Sequence, residues 1–106
     1  MIYELRTYIT EPGQLHRLHR RFREHTLGLF EKHGISSIGY WEPEGEPDTL
    51  IYLLAHPGRE EGEANWRAFR EDPQWLEARA ASEREGKIVA RGISQWLRPT
   101  DYSALT

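Results

Sequence analysis

The chain has 106 residues, a formal net charge of −3, 38% hydrophobic and 29% charged residues, and no cysteine. Residues 1–106 make one domain, in which disulfides, thiolate metal sites and cysteine nucleophiles are excluded, and mild acidity argues against nucleic acid as the partner. The mean hydropathy is −0.76 and the longest apolar run is Leu50 to Ala55. That run is far short of the roughly 20 residues a membrane-spanning helix needs. No targeting segment is recognisable before the first strand-like residue, Ile2, so the expected location is cytoplasmic.

Ile2 to Ile9 alternates, with Tyr3, Leu5, Thr7 and Ile9 on one side and Ile2, Glu4, Arg6 and Tyr8 on the other, the period of a strand. After Thr10-Glu11-Pro12-Gly13 the period changes. Leu15, Leu18, Phe22, Thr26, Leu29 and His33 recur every three or four residues, while Arg17, Arg20, Arg21 and Glu24 fall outside that stripe. This predicts an amphipathic helix starting near Pro12 and capped by Gly34. Ile35 to Trp41 is a thinner strand, suited to an edge, and Glu42 to Asp48 is a turn. Thr49 to Ala55 is apolar on both sides, as a central strand would be. His56-Pro57-Gly58 ends it, and the acidic Glu60, Glu61 and Glu63 open a helix through Trp66 and Phe69. Asp72-Pro73 interrupts that helix and restarts it as Gln74 to Glu85, closed by Gly86. Lys87 to Leu97 is the last strand, with Val89, Ile93 and Leu97 alternating against Ala90, Gly92 and Ser94. Tyr102 is the tail residue expected to pack down.

Strand, helix, strand, strand, helix, strand is the split βαβ, ferredoxin-like plan of an α+β fold with a four-stranded antiparallel sheet. Two helices cover one face of such a sheet. Whichever face of Thr49–Ala55 turns away from them stays apolar, so a second copy packed sheet against sheet is expected, in a two-fold homodimer.

Tyr3-Glu4-Leu5-Arg6-Thr7-Tyr8, Arg23-Glu24-His25-Thr26-Leu27, Phe30-Glu31-Lys32-His33-Gly34-Ile35, Trp66-Arg67-Ala68-Phe69, Asp72-Pro73-Gln74-Trp75 and Leu97-Arg98-Pro99-Thr100-Asp101-Tyr102 resemble the NIPSNAP family. The resemblance extends over nearly the whole chain. It implies a dimeric α/β barrel, in which two ferredoxin-like sheets share a barrel with the helices outside. It implies little about activity, since the family mostly lacks an established catalytic function. Related branches include cofactor-independent monooxygenases, haem-degrading enzymes and isomerases, a link through fold alone.

Within this frame His25 is the candidate general acid or base, because it stands beside the helix's apolar stripe and an imidazole exchanges protons near neutral pH. The plainer reading is a buried histidine that hydrogen-bonds a tyrosine or a carbonyl, and the absence of a recognisable Ser or Cys nucleophile motif favours it. Tyr8, Tyr40, Trp41, Tyr52 and Trp66 are candidates to line a pocket for a flat aromatic ligand, against simple core packing. Glu4 and Arg6 are expected as an ion pair at the dimer interface together with Leu53, with a carboxylate clamp as the second reading of the pair. His16 and His19 have a metal-compatible spacing, but Arg17, Arg20, Arg21 and Arg23 would repel a cation, so no metal site is expected. The surrounding basic strip reads as a solvated helix face paired with Glu42, Glu44 and Glu46. No cofactor is indicated. The leading expectation is a homodimer that binds a small aromatic or acidic molecule in a barrel or sheet–helix cavity; the alternatives are a cofactor-independent monooxygenase or isomerase, and a structural or adaptor dimer.

Overall fold

A computed structural model describes residues 1–106. In chain order the elements are β1 (Ile2–Thr10), α1 (Leu15–Arg21), a π-helical turn (Phe22–Thr26), α2 (Leu27–Lys32), β2 (Ser36–Trp41), β3 (Thr49–His56), α3 (Arg59–Glu71), α4 (Pro73–Ser82) and β4 (Val89–Leu97). The four strands form one antiparallel sheet in the order β2-β3-β1-β4. This is the α+β ferredoxin-like fold, with β1 and β3 central and the thin β2 at an edge. No helix is long and apolar enough to cross a membrane.

Local chemistry explains most element ends. Gly13, at φ 76°, takes the left-handed conformation and donates its N–H to Asp48 Oδ1, so Pro12 and Gly13 belong to a turn and the helix begins later than expected, at Leu15. At the other end Gly34, at φ 74°, closes α2. The Ile35 N–H returns to the Phe30 carbonyl at 2.9 Å and the Gly34 N–H to Glu31 at 3.2 Å, a paired C-cap. Asp72 accepts the Gln74 N–H at 2.8 Å and so caps α4, whose first residue is Pro73. Its other oxygen accepts Lys32 Nζ at 2.8 Å and pairs with His33 Nε2 at 2.7 Å, tying the start of α4 to the end of α2.

The π turn was not legible from the stripe. The Leu27 N–H reaches back five residues to the Phe22 carbonyl, and each residue in such a turn advances by less than the roughly 100° of an α-helix. Leu18, Phe22, Thr26, Leu29 and Phe30 keep facing the sheet, while His25 is rotated out to solvent. Arg21, assigned to the solvent face by the stripe, is buried.

Cross-strand register separates the two sheet faces. Glu4 lies opposite Leu54 and Trp96, Arg6 opposite Tyr52 and Ser94, and Tyr8 opposite Leu50 and Gly92. All belong to the helix-covered face, since Leu50, Tyr52 and Leu54 pack with Leu18, Phe22, Phe30, Trp66, Phe69 and Ile88 in one core cluster. The other face carries Leu5, Thr7 and Ile9 of β1, Ile51, Leu53 and Ala55 of β3, and Ile93 and Leu97 of β4. No helix covers it. Val89 does not share that face as expected: the β1–β4 register shifts between Ile9 and Thr10, which returns Val89 to the helix side. Tyr102 does not pack down either. It sits in a tail turn and is 86% exposed, whereas the Thr106 carbonyl accepts a hydrogen bond from the Tyr3 hydroxyl at 3.2 Å.

Gly62 lets α3 approach the sheet. A Cβ there would stand 2.8 Å from His56 Cγ and 2.8 Å from Trp96 Cη2. The Gly62→Ala variant gains helix propensity of about 1 kcal/mol but overpacks the layer by about 1–3 kcal/mol. A lower urea midpoint is the expected result, and an unchanged or higher one contradicts this packing.

Candidate ligand-binding site

The layer between sheet and helices is built around a charge. Glu4 is 1% exposed, and the alternation of β1 aims its carboxylate away from solvent towards α3. Oε1 lies 2.9 Å from His56 Nε2 and accepts the Trp66 Nε1–H at 2.7 Å. Oε2 accepts Arg6 at 2.7 Å and the Ser94 hydroxyl at 2.6 Å. Burial alone would raise this carboxyl, but the bonds from His56, Ser94, Trp66 and Arg6 outweigh it and hold the group at about 2. A single carboxylate thus joins β1 to β3, β4 and α3.

Arg6 transmits that arrangement to its neighbours. Its Nε donates to the Tyr52 hydroxyl at 2.9 Å and a terminal nitrogen donates to the Tyr8 hydroxyl at 2.9 Å. The guanidinium carbon stands 4.3 Å from the Trp66 ring centre, a cation–π contact. Burial pulls Arg6 down, and the oxygens of Tyr52, Tyr8 and Glu4 more than reverse the effect. Arg6 therefore stays a fixed cation.

Beside it lies a cavity of about 240 Å³ between the sheet and the helices. Six aromatic residues line it: Tyr8, Phe22, Phe30, Trp66, Phe69 and Trp75. Four arginines, Arg6, Arg21, Arg70 and Arg79, face it with one carboxylate, Glu83. Arg70 and Arg79 are exposed and mark its mouth, whereas Arg21 is buried within. Apolar rings with an excess of cationic donors suit a small, flat molecule with an acidic group.

Of the five aromatic candidates, the structure brings Tyr8 and Trp66 to this cavity. Tyr52 is fully buried behind it, where burial and then Tyr8 raise its phenol well above the ordinary value. Tyr40 stacks on Tyr52 with ring centres 5.0 Å apart and belongs to a separate hollow with His19 and Leu27. Trp41 pairs with Ile51 and lays its indole over Gly39 on the uncovered face, so it is not a wall of the sheet–helix cavity. Glu4 and Arg6 do form the expected ion pair, but on the helix-covered face rather than the face left for a second copy. Leu53 is on the uncovered face. His25 is exposed in a basic groove with Arg20, Glu24 and Arg84 that adjoins the cavity through Arg21, and it does not line the cavity itself, because the π turn rotates it off the inner face. The residues missed were Arg21, Trp75 and His56. Arg21 stands three positions after Leu18 and next to Phe22, and His56 continues the Leu50, Tyr52, Leu54 alternation, so both carried a spacing signal.

The NIPSNAP family model matches residues 3–104. A NIPSNAP family protein of unknown function from Agrobacterium tumefaciens is similar over 100% of this chain and 94% of its own, at 20% identity and a TM-score of 0.86. An uncharacterized NIPSNAP domain protein from Burkholderia xenovorans is similar over 97% of this chain and 98% of its own, at 20% identity and a TM-score of 0.81. An antibiotic biosynthesis monooxygenase shares the fold at 11% identity and a TM-score of 0.60, over 94% of this chain and 99% of its own. No curated protein matches the chain.

The Glu4 network sets an acid limit on the fold. Because the folded carboxyl is depressed from 4.5 to about 2, its contribution is complete above the unfolded value and is lost as pH falls through the folded one. The shift corresponds to roughly 3 kcal/mol. Urea midpoints measured between pH 5 and pH 2, bounds set by that shift, are expected to fall steeply for the natural chain. In Glu4→Gln the fold is weakened at neutral pH by about 3–5 kcal/mol, and the pH slope flattens. An equally steep slope in Glu4→Gln contradicts the assignment.

Proposed function

The chain belongs to the NIPSNAP family, and from that premise we propose that it is a homodimeric binding protein for a small ring-bearing molecule held between its sheet and its helices. The observation that carries the reading is the cavity of about 240 Å³, with six aromatic residues on its walls and four arginines against one glutamate. A packed structural layer at this position would be filled by side chains, as protein interiors ordinarily are. Here the Glu4–Arg6–Trp66 arrangement holds the wall rigid, since Arg6 bonds to Glu4, Tyr8 and Tyr52 at once. A site whose wall is fixed beforehand loses less ordering entropy when ligand enters.

The second copy belongs on the uncovered face. Leu5, Ile9, Ile51 and Leu53 lie there half-buried, with Trp41, Ile93 and Leu97 more exposed around them. An apolar patch of this extent is a customary mark of an interface. Sheet-against-sheet packing about 10 Å apart buries it while leaving the helices, and the cavity beneath them, outside the interface. A closed two-fold pair is the simplest symmetry that does so.

Two variants separate the parts of this reading. Leu53→Asp places a charge in the centre of the apolar face, and sedimentation velocity is expected to show a monomer where the natural chain gives a dimer; a dimer in both contradicts the assembly. Val89→Phe extends a ring into the cavity without removing a polar group. Saturation-transfer NMR with a panel of single-ring compounds is expected to give signals for the natural chain and none for the variant. Silence from the natural chain across the panel contradicts the ligand site.

A further inference from the structure

We propose that the ligand is an aromatic carboxylate and that Arg21 is the residue that receives its carboxylate group. This rests on the cavity being a ligand site and adds to it a chemical class and a recognition residue. Arg21 ends α1, directly before the π turn, and is 7% exposed. Its guanidinium has one hydrogen bond to a protein group, to the Ser82 hydroxyl at a long 3.3 Å, and its buried Nε has no partner. Arg6 makes the contrast: each of its three nitrogens is bonded. A buried cation without an anion is strongly unfavourable, and its remaining donors call for an acceptor.

The protein does not supply that acceptor. Glu83 is the only carboxylate lining the cavity, and its oxygens are committed to Arg79 Nε at 3.0 Å and the Ile88 N–H at 3.2 Å. That pairing also neutralises Arg79, and Arg21, which lines both this cavity and the adjoining groove that holds His25, is left as a buried cation without a paired carboxylate. A monoanion matches it. The planar geometry follows from Trp75, whose ring centre is 5.2 Å from the Arg21 guanidinium carbon. Held over the indole, the guanidinium can offer an edge to a ligand, and a carboxylate takes such an edge in two parallel bonds. The bond to Ser82 is the contact that must loosen for the edge to turn inward. Beyond the carboxylate, Phe22, Phe69 and Trp75 provide surfaces for a ring. Burial, opposed by Glu83 and Tyr8 and aided by Arg79 and Arg17, pushes the guanidinium below its ordinary value.

The test compares charge at constant shape. Calorimetric titrations of the natural dimer with benzoate and phenylacetate, against benzamide and phenylacetamide, are expected to favour the acids by roughly ten- to a hundredfold. In Arg21→Gln that preference should vanish while amide binding persists. Equal affinity of acids and amides for the natural chain overturns the role of Arg21 and leaves the cavity as a site for neutral rings. Binding of neither class overturns both readings. An Arg70→Gln control at the mouth adds a further outcome: if it abolishes the acid preference and Arg21→Gln does not, the preference belongs to the mouth and the proposal fails. Should Arg21→Gln fail to fold, Arg70→Gln decides: an acid preference retained in that variant supports Arg21, and its loss overturns the proposal.

Discussion

One carboxylate, Glu4, determines how the layer between sheet and helices is organised. It accepts from Trp66 on α3, Ser94 on β4 and Arg6 on its own strand, and lies 2.9 Å from His56 Nε2 on β3. An apolar residue at this position would let the layer close as ordinary core. A buried, fully bonded charge instead fixes one arrangement, because any slip of register leaves donors and acceptors unpaired. Arg6 then inherits its direction from Glu4, and through Arg6 the hydroxyls of Tyr8 and Tyr52 and the face of Trp66 are set. The cavity wall is an outcome of that chain of contacts.

The sheet meets its two surroundings in different ways. Towards the helices it presents charge, phenols and indoles, satisfied among themselves and against Phe22, Phe30 and Phe69. Away from them it presents Leu5, Ile51, Leu53 and Ile93, which have nothing to bond and no helix to meet. In the proposed function the first face serves recognition and the second association. One strand alternation divides the two roles, since neighbouring residues of β1 point to opposite faces. Glu4 and Leu5 are adjacent in sequence and belong to different faces.

The order of elements was legible because its signals are local. Gly34 takes the left-handed conformation that closes the first helical rod, and Asp72 with Pro73 restarts the second, each through a bond that neighbours in sequence can make. The edge place of β2 and the central place of β3 followed from composition. What was not legible depends on distant partners. Both sides of β1 mix polar and apolar residues, so alternation alone does not say which side meets the helices; pairing with β3 puts Glu4 and Arg6 on the helix-covered one. The π turn has no residue signature in this chain, yet it moves His25 outward while Arg21, in the turn before it, faces inward. Register divides the sheet residues among the aromatic candidates: Tyr8 reaches the cavity, Tyr52 lies behind it, and Tyr40 and Trp41 lie elsewhere, while Trp66 comes to the cavity from α3.

The central claim is that a second copy closes the open face and a small molecule occupies the cavity beneath the helices. Native mass spectrometry of the chain isolated gently from its own host, followed by the same sample denatured, reads both at once. The account expects a dimer whose mass exceeds twice that of the chain, and a small molecule released on denaturation. A monomer of bare chain mass would contradict it, showing that the open face needs no partner and that the cavity holds nothing tightly enough to survive isolation.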